Sequence, residues 1–125
     1  PVPGGAQAAA AARRLGADPQ GTRYRAATDV IGMEVMGTNG GHVGEIEDLV
    51  VNLGTGRVHY AIFELNRPLN PDDELVPVGL QHFSFAERSP NAFLRIPRER
   101  LDTRLGFDRR NWPDLNDPRY GADID

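Results

Sequence analysis

Residues 27–65 read ATDVIGMEVMGTNGGHVGEIEDLVVNLGTGRVHYAIFEL, and the fold depends on how this run is divided. Its apolar residues alternate in short stretches instead of recurring at helical spacing, which is the pattern of half-buried strands. The reading gives a first strand over 30–36, a second over 42–53 and a third over 57–65. GTNGG separates the first pair and GTG the second. Asn-Gly and Gly-x-Gly supply the positive φ that tight hairpins demand, so three strands joined this way form an antiparallel meander.

Within the second strand, GHVGEIEDLVV puts His42, Glu45, Glu47 and Asp48 close together. Glu45 and Glu47 share one parity and Ile46 has the other, yet Leu49 continues the parity of the glutamates. The apolar face therefore changes sides between Ile46 and Leu49. A β-bulge near Glu47–Asp48 makes that change by adding one residue and bending the strand. It leaves Glu45 and Glu47 pointing to solvent, with Asp48 at the kink accepting bonds from freed backbone N–H groups. A hydrolytic carboxylate pair needs two groups facing each other across a cleft, whereas these two lie side by side on a convex wall. His42 sits in a turn, without a metal-ligand spacing such as HExxH.

His59 and His82 lie on strands beside aromatics, where a half-buried histidine is usually structural. A ligand-binding or metal-responsive barrel using His42, His59 or His82 with the acidic strand is the alternative reading. No Ser or Thr has a visible activating partner, and neither Gly-rich turn leads from a strand into a helix as a phosphate cradle requires. The expectation is a non-enzyme with no catalytic, cofactor or metal residues and no cofactor.

The third strand is apolar on both faces: Val58, Tyr60 and Ile62 on one, Ala61, Phe63 and Leu65 on the other. A lone antiparallel sheet would wet one of them. The outer face must be covered by the C-terminal segment, through Phe107 and Trp112, or by a second chain or another protein.

Beyond residue 65 the reading continues with strands over 74–79, 81–87 and 92–96. Pro77 places the fourth strand at an edge or a break. Residues 97–103, PRERLDT, read as a short helical turn opened by Pro97. Residues 104–125 carry Phe107, Trp112 and Tyr120 amid Asp, Asn and Pro, the composition of an irregular tail pinned by its aromatics. Five or six short strands with hardly any helix predict a small, mainly β, antiparallel barrel or sandwich.

The composition agrees with this. A chain of 125 residues has room for one modest core. It has no cysteine, which excludes disulfides, thiolate catalysis and thiolate metal sites. The net charge of −4 argues against nucleic acid as a partner. Every cation is arginine, as GC-rich coding would give. Arg13, Arg14, Arg23 and Arg25 precede an acidic stretch holding Asp29, Glu34, Glu45, Glu47, Asp48 and Glu64. No apolar run approaches the ~20 residues of a membrane span, so no membrane insertion is expected. Residues 1–26 read as a flexible Ala/Arg-rich tail, marginal as an isolated helix and helical only if something receives it. Starting at Pro1 without Met, the chain reads as trimmed, either after an export signal or from a longer protein. Cytoplasm and periplasm both remain open.

Four features carry a family resemblance. Ile31, Gly32 and Val35 match a Leu/Ile-Gly-x-x-Val opening. Gly44, Ile46 and Asp48 match Gly-x-Ile/Val-x-Asp. RVHYAIFEL and the Val76-Pro77 step follow. Over residues 27–103 the chain resembles the PRC-barrel family, named for the cytoplasmic barrel of the photosynthetic reaction-centre H subunit. Residues 106–120, GFDRRNWPDLNDPRY, look like the extension on some stand-alone bacterial members. The loop over 66–74 departs from the family pattern. The resemblance implies a small barrel used for protein–protein contact. One relative forms the ribosome-binding half of a 16S rRNA processing factor, and another modulates electron transfer to quinone inside a larger complex. For this chain it implies a non-catalytic interaction or self-association module, an adaptor or assembly domain, whose partner is another protein or a second copy.

Overall fold

A computed structural model describes residues 24–66, 73–86 and 89–122. The tail expected over 1–26 falls almost wholly outside them. The chain forms a short helix α1 (Ala27–Val30), then strands β1 (Glu34–Met36), β2 (His42–Asn52), β3 (Arg57–Leu65) and β4 (Glu74–Gly79). A 3-10 turn over Leu80–His82 leads into β5 (Phe83–Phe85) and β6 (Ala92–Leu94). A second 3-10 turn spans Arg98–Arg100, followed by β7 (Phe107–Asp108) and a helical turn α2 (Arg119–Ala122). Among the described residues no helix is long and apolar enough to cross a membrane.

The meander is present as the turn chemistry dictates. Gly40 (φ 84°) and Gly56 (φ 74°) take the left-handed conformation in the β1–β2 and β2–β3 turns. Asn39 Oδ1 accepts the Gly41 N–H at 2.9 Å, and Asn52 Oδ1 accepts those of Gly54 and Thr55 at 2.8 and 3.1 Å. These side chains stand in for backbone partners that the turns cannot supply.

Three expectations are corrected. Residues 27–30 form a helical turn, and β1 begins only at Glu34, after Gly32 (φ 92°) redirects the chain. The sheet has seven strands, not five or six, in the order β5-β6-β1-β2-β3-β4-β7, and its hydrogen-bonded ladder is open. Nor is it wholly antiparallel: β1 pairs in parallel with β6, Val35 opposite Ala92. The missed strand, β7, has two residues and is defined only by its partners Glu74 and Leu75 on β4. A two-residue strand leaves no periodicity to read.

The open sheet still curls round one core. Val35, Val43, Ile46, Ala61, Phe63, Val76, Phe83, Ala92 and Leu94 form a buried cluster drawn from six of the seven strands. The Phe63 and Phe83 rings meet edge to face at 5.6 Å, joining β3 to β5 where no hydrogen bond does. Side chains thus do what a closed ladder would do in a barrel.

Two bulges shape the central pair. Ile46 opposes Phe63 and Asp48 opposes Ile62, so Glu47 is an extra residue on β2, where the parity change requires one. Asp48 Oδ1 accepts the N–H of Leu49 at 2.8 Å, as expected of a carboxylate at a kink. Further along, Val50 opposes Tyr60 and Val51 opposes Val58, making His59 an extra residue on β3. This second bulge separates Val58 from Tyr60 and Ile62, which the alternation had grouped on one face.

Candidate functional site

The outer face of β3 is covered by the chain itself. Tyr60 and Ile62 are buried with Leu75, Phe107 and Tyr120 in a second cluster, against which Val50 and Leu105 pack. Trp112 leans on Phe107 with ring centres 5.0 Å apart, and Tyr120 meets Phe107 at 6.4 Å. Of the occupants considered from the sequence, the C-terminal segment is the one observed. Phe107 and Tyr120 supply the cover, while Trp112 stays 37% exposed at its margin.

Polar contacts hold this segment in place. Tyr120 Oη donates to Leu105 O at 3.1 Å, and the His59 ring Nε2 lies 2.8 Å from Gly121 O. The His59 bulge is therefore what brings the imidazole to α2. Asp102, Asp108 and Asp117 each accept the N–H of the arginine two residues on, and each arginine pairs back with its aspartate. The Arg104 guanidinium and N–H hold the Asp102 carboxyl down to about 2. The corresponding arginines lower Asp108 and Asp117 in the same way.

Above the outer cluster lies the acidic patch. Glu45 and Glu64 face each other across β2 and β3, with Glu34 opposite Glu45 on β1. Like charges so placed repel. Arg109, one residue past β7, answers them. Its guanidinium bonds Glu47 at 3.2 Å, pairs with Glu64, and brings Nε within 3.3 Å of Asp73. Asp73 adopts φ 56°, a conformation that aspartate tolerates better than most residues. The expectation that Glu47 points freely to solvent is thus corrected: it is half-buried under an arginine from 62 residues away. No local pattern in the sequence announces that partner.

Glu45, Glu47 and Glu64 bring one oxygen each within 4.8 Å of one another. Arg109 already sits on two of the three. Among the described residues no histidine joins a set of three such groups. His42 bonds the Asn66 amide through Nδ1 at 2.9 Å, His59 bonds α2, and His82 lies in the turn before β5. The structure does not bring the three histidines together on the acidic strand.

What remains open is a groove of about 810 Å³ between the β2–β3 hairpin and the C-terminal segment. Val50, Leu53, Tyr60, Trp112, Leu115 and Tyr120 contribute to its walls. Leu53, at the hairpin tip, is 91% exposed, and Val51 is 48% exposed. A leucine held that far into water by a well-formed turn is a knob beside a hole. The sequence points to the outer face of the third strand and its neighbours as a contact surface; the groove could not be read from it, because only the folded C-terminal segment creates the second wall.

The family motifs acquire physical reasons in this setting. A Cβ on Gly44 would stand 2.1 Å from Glu64 O and 2.7 Å from Phe63 Cζ. Gly32 donates to Ile46 O at 2.6 Å while Ile46 donates to Met33 O at 3.0 Å, tying the first motif to the second. No curated protein matches the chain closely enough to serve as a relative. The family model for the PRC-barrel domain matches residues 23–89, more than half of the chain. That span takes in both motifs and β1 to β5, and the chain belongs to the PRC-barrel domain family.

Proposed function

We propose that the chain is a non-catalytic contact module that associates with a second copy of itself through the hairpin tip and the groove beside it. The supporting observation is the 91% exposure of Leu53 at the edge of a groove that Val50, Tyr60, Trp112 and Leu115 line together with Asp48, Asn52, His59 and Asn116. A knob and a hole on one patch suit a two-fold contact, in which each copy offers both. Burying Leu53 and the exposed parts of Val51 and Trp112 supplies an apolar centre of the kind that dominates such interfaces.

Sedimentation of the full chain over a wide concentration range tests the reading. A dimer is expected, and Leu53→Asp is expected to make it monomeric. Because Leu53 touches little within its own chain, the thermal midpoint of the monomer should stay within the equivalent of about 0.5 kcal/mol. A chain that stays monomeric at high concentration removes self-association and leaves a different protein as the partner. An unaltered dimer in the Leu53→Asp variant moves the interface elsewhere.

A further inference from the structure

Four aspartates of the C-terminal segment close the same small turn. Asp102, Asp108, Asp114 and Asp117 each accept, through Oδ1, the N–H of the residue two positions on. For three of them that residue is an arginine, and its guanidinium returns to the carboxylate. For Asp114 it is Asn116, which has no charge to return. Asp114 is exposed, and among the described residues no cation pairs with it. Arg57 is its counterpart on the β2–β3 hairpin. It opposes Asn52 on the last rung before the turn, it is exposed, and it is the sole arginine between residues 29 and 66. Among the described residues no carboxylate pairs with it. The groove has Asn52 and Leu53 on one wall and Leu115 and Asn116 on the other. Arg57 and Asp114 therefore flank opposite walls of one groove, and within the chain no bond joins them.

We infer that Arg57 of one copy pairs with Asp114 of a second copy when the hairpin tip of each enters the groove of the other. The inference rests on the self-association proposed above and adds the charge contact that sets its orientation. A tip that carries Leu53 into the partner's groove carries Arg57 with it. Asp114 immediately precedes Leu115 on the wall that receives it. Two-fold symmetry makes the pair occur twice. Each copy has a net charge of −4, so two copies repel at long range. An opposite-charge pair at the contact then selects the one orientation in which they meet. The pair is wet and contributes modestly to affinity; Leu53 supplies the apolar centre. Asp48 also lines the groove, but on the hairpin's own wall. It is half-buried at the Glu47 bulge, with Oδ1 held by the Leu49 N–H.

Sedimentation equilibrium of the full chain at low salt gives the dimer constant. Arg57→Glu and Asp114→Arg are each expected to weaken the dimer about tenfold, since each reverses both pairs. Net charge alone gives the opposite sign for Asp114→Arg, which moves the chain from −4 towards zero. Asp114→Asn keeps the acceptor for the Asn116 N–H and guards against a folding defect. It should weaken the dimer about threefold at low salt and hardly at all at high salt. An equimolar mixture of the Arg57→Glu and Asp114→Arg chains should dimerise as tightly as the parent, because both contacts then join opposite charges. If Leu53→Asp abolishes the dimer while the charge variants leave it unchanged, the pair is overturned and the groove contact stands. Weakening by Arg57→Glu alone points to Asp48 and overturns the assignment to Asp114. If the chain carrying both reversals recovers but the mixture does not, the pair lies within one chain and the inference is overturned. A chain that is monomeric at every concentration overturns both readings.

Discussion

Tyr60 carries a hydroxyl into the outer cluster, where no hydrogen bond meets it, although the residue is only 1% exposed. Burial, with Tyr120 nearby as a smaller cause, raises its pKa above the ordinary 10.0. An unpaired buried hydroxyl costs stability, whereas the ring itself contributes packing. Tyr60→Phe is therefore expected to stabilise the protein by about 1 kcal/mol in urea titrations at neutral pH. The sign of the pH dependence follows from the raised value. Keeping the phenol neutral favours the folded state below the unfolded pKa near 10, and this advantage is lost as pH rises through the higher folded pKa. Alkaline destabilisation should accordingly be shallower in Tyr60→Phe, and equal slopes in both proteins would contradict the assignment. Gly44 presents the opposite case, a position with no room at all. Gly44→Ala forces a methyl against Glu64 O and the Phe63 ring, and a loss of about 3 kcal/mol is expected. A variant that melts like the parent would show that β2 and β3 separate there more easily than their close approach implies.

The β2–β3 pair shows which features a sequence discloses. The Glu47 bulge was legible because apolar residues change parity across it, and hydrophobic burial enforces parity strictly. His59 was not legible: Val58, Tyr60 and Ile62 keep a perfect alternation in sequence, and only the pairing of Val51 with Val58 reveals the extra residue. Turn glycines were legible for the local reason that few residues accept positive φ. Arg109 was not, because its acidic partners come from β2, β3 and the residue before β4, joined to it only by folding. The same contacts make β7 and its flanks a latched element. Arg109→Met keeps the bulk of the side chain but leaves Glu47, Glu64 and Asp73 repelling one another. A loss of about 1–2 kcal/mol is expected, discounted because a third of the arginine side chain is wet. Trp112, the sole tryptophan, reports on the latch. Its emission should shift to the red in the variant, and an unchanged spectrum would mean that the aromatic contacts hold the segment without Arg109.

At the scale of the whole molecule, local and distant pairings are divided unequally. β2, β3 and β4 follow one another in sequence and pair as neighbours, whereas β1 finds β6 across more than half of the described chain. Closing that long loop costs entropy before its contacts repay it. The central meander should thus form first and the β6–β1 union late. Stopped-flow kinetics followed by Trp112 emission can check this order. Leu94→Ala, on β6, is expected mainly to speed unfolding, while Phe63→Leu, on β3, should slow refolding. The reverse assignment would place the nucleus at the seam. The ladder's two ends carry a consequence of another kind. Its terminal strands are three and two residues long, and Pro77 lies within β4 just past the stretch that β7 covers. A stranger's backbone seeking to extend the sheet finds too few amides in a row to grip, and proline presents none. Sheet-to-sheet extension into a fibril is disfavoured at both ends of this ladder.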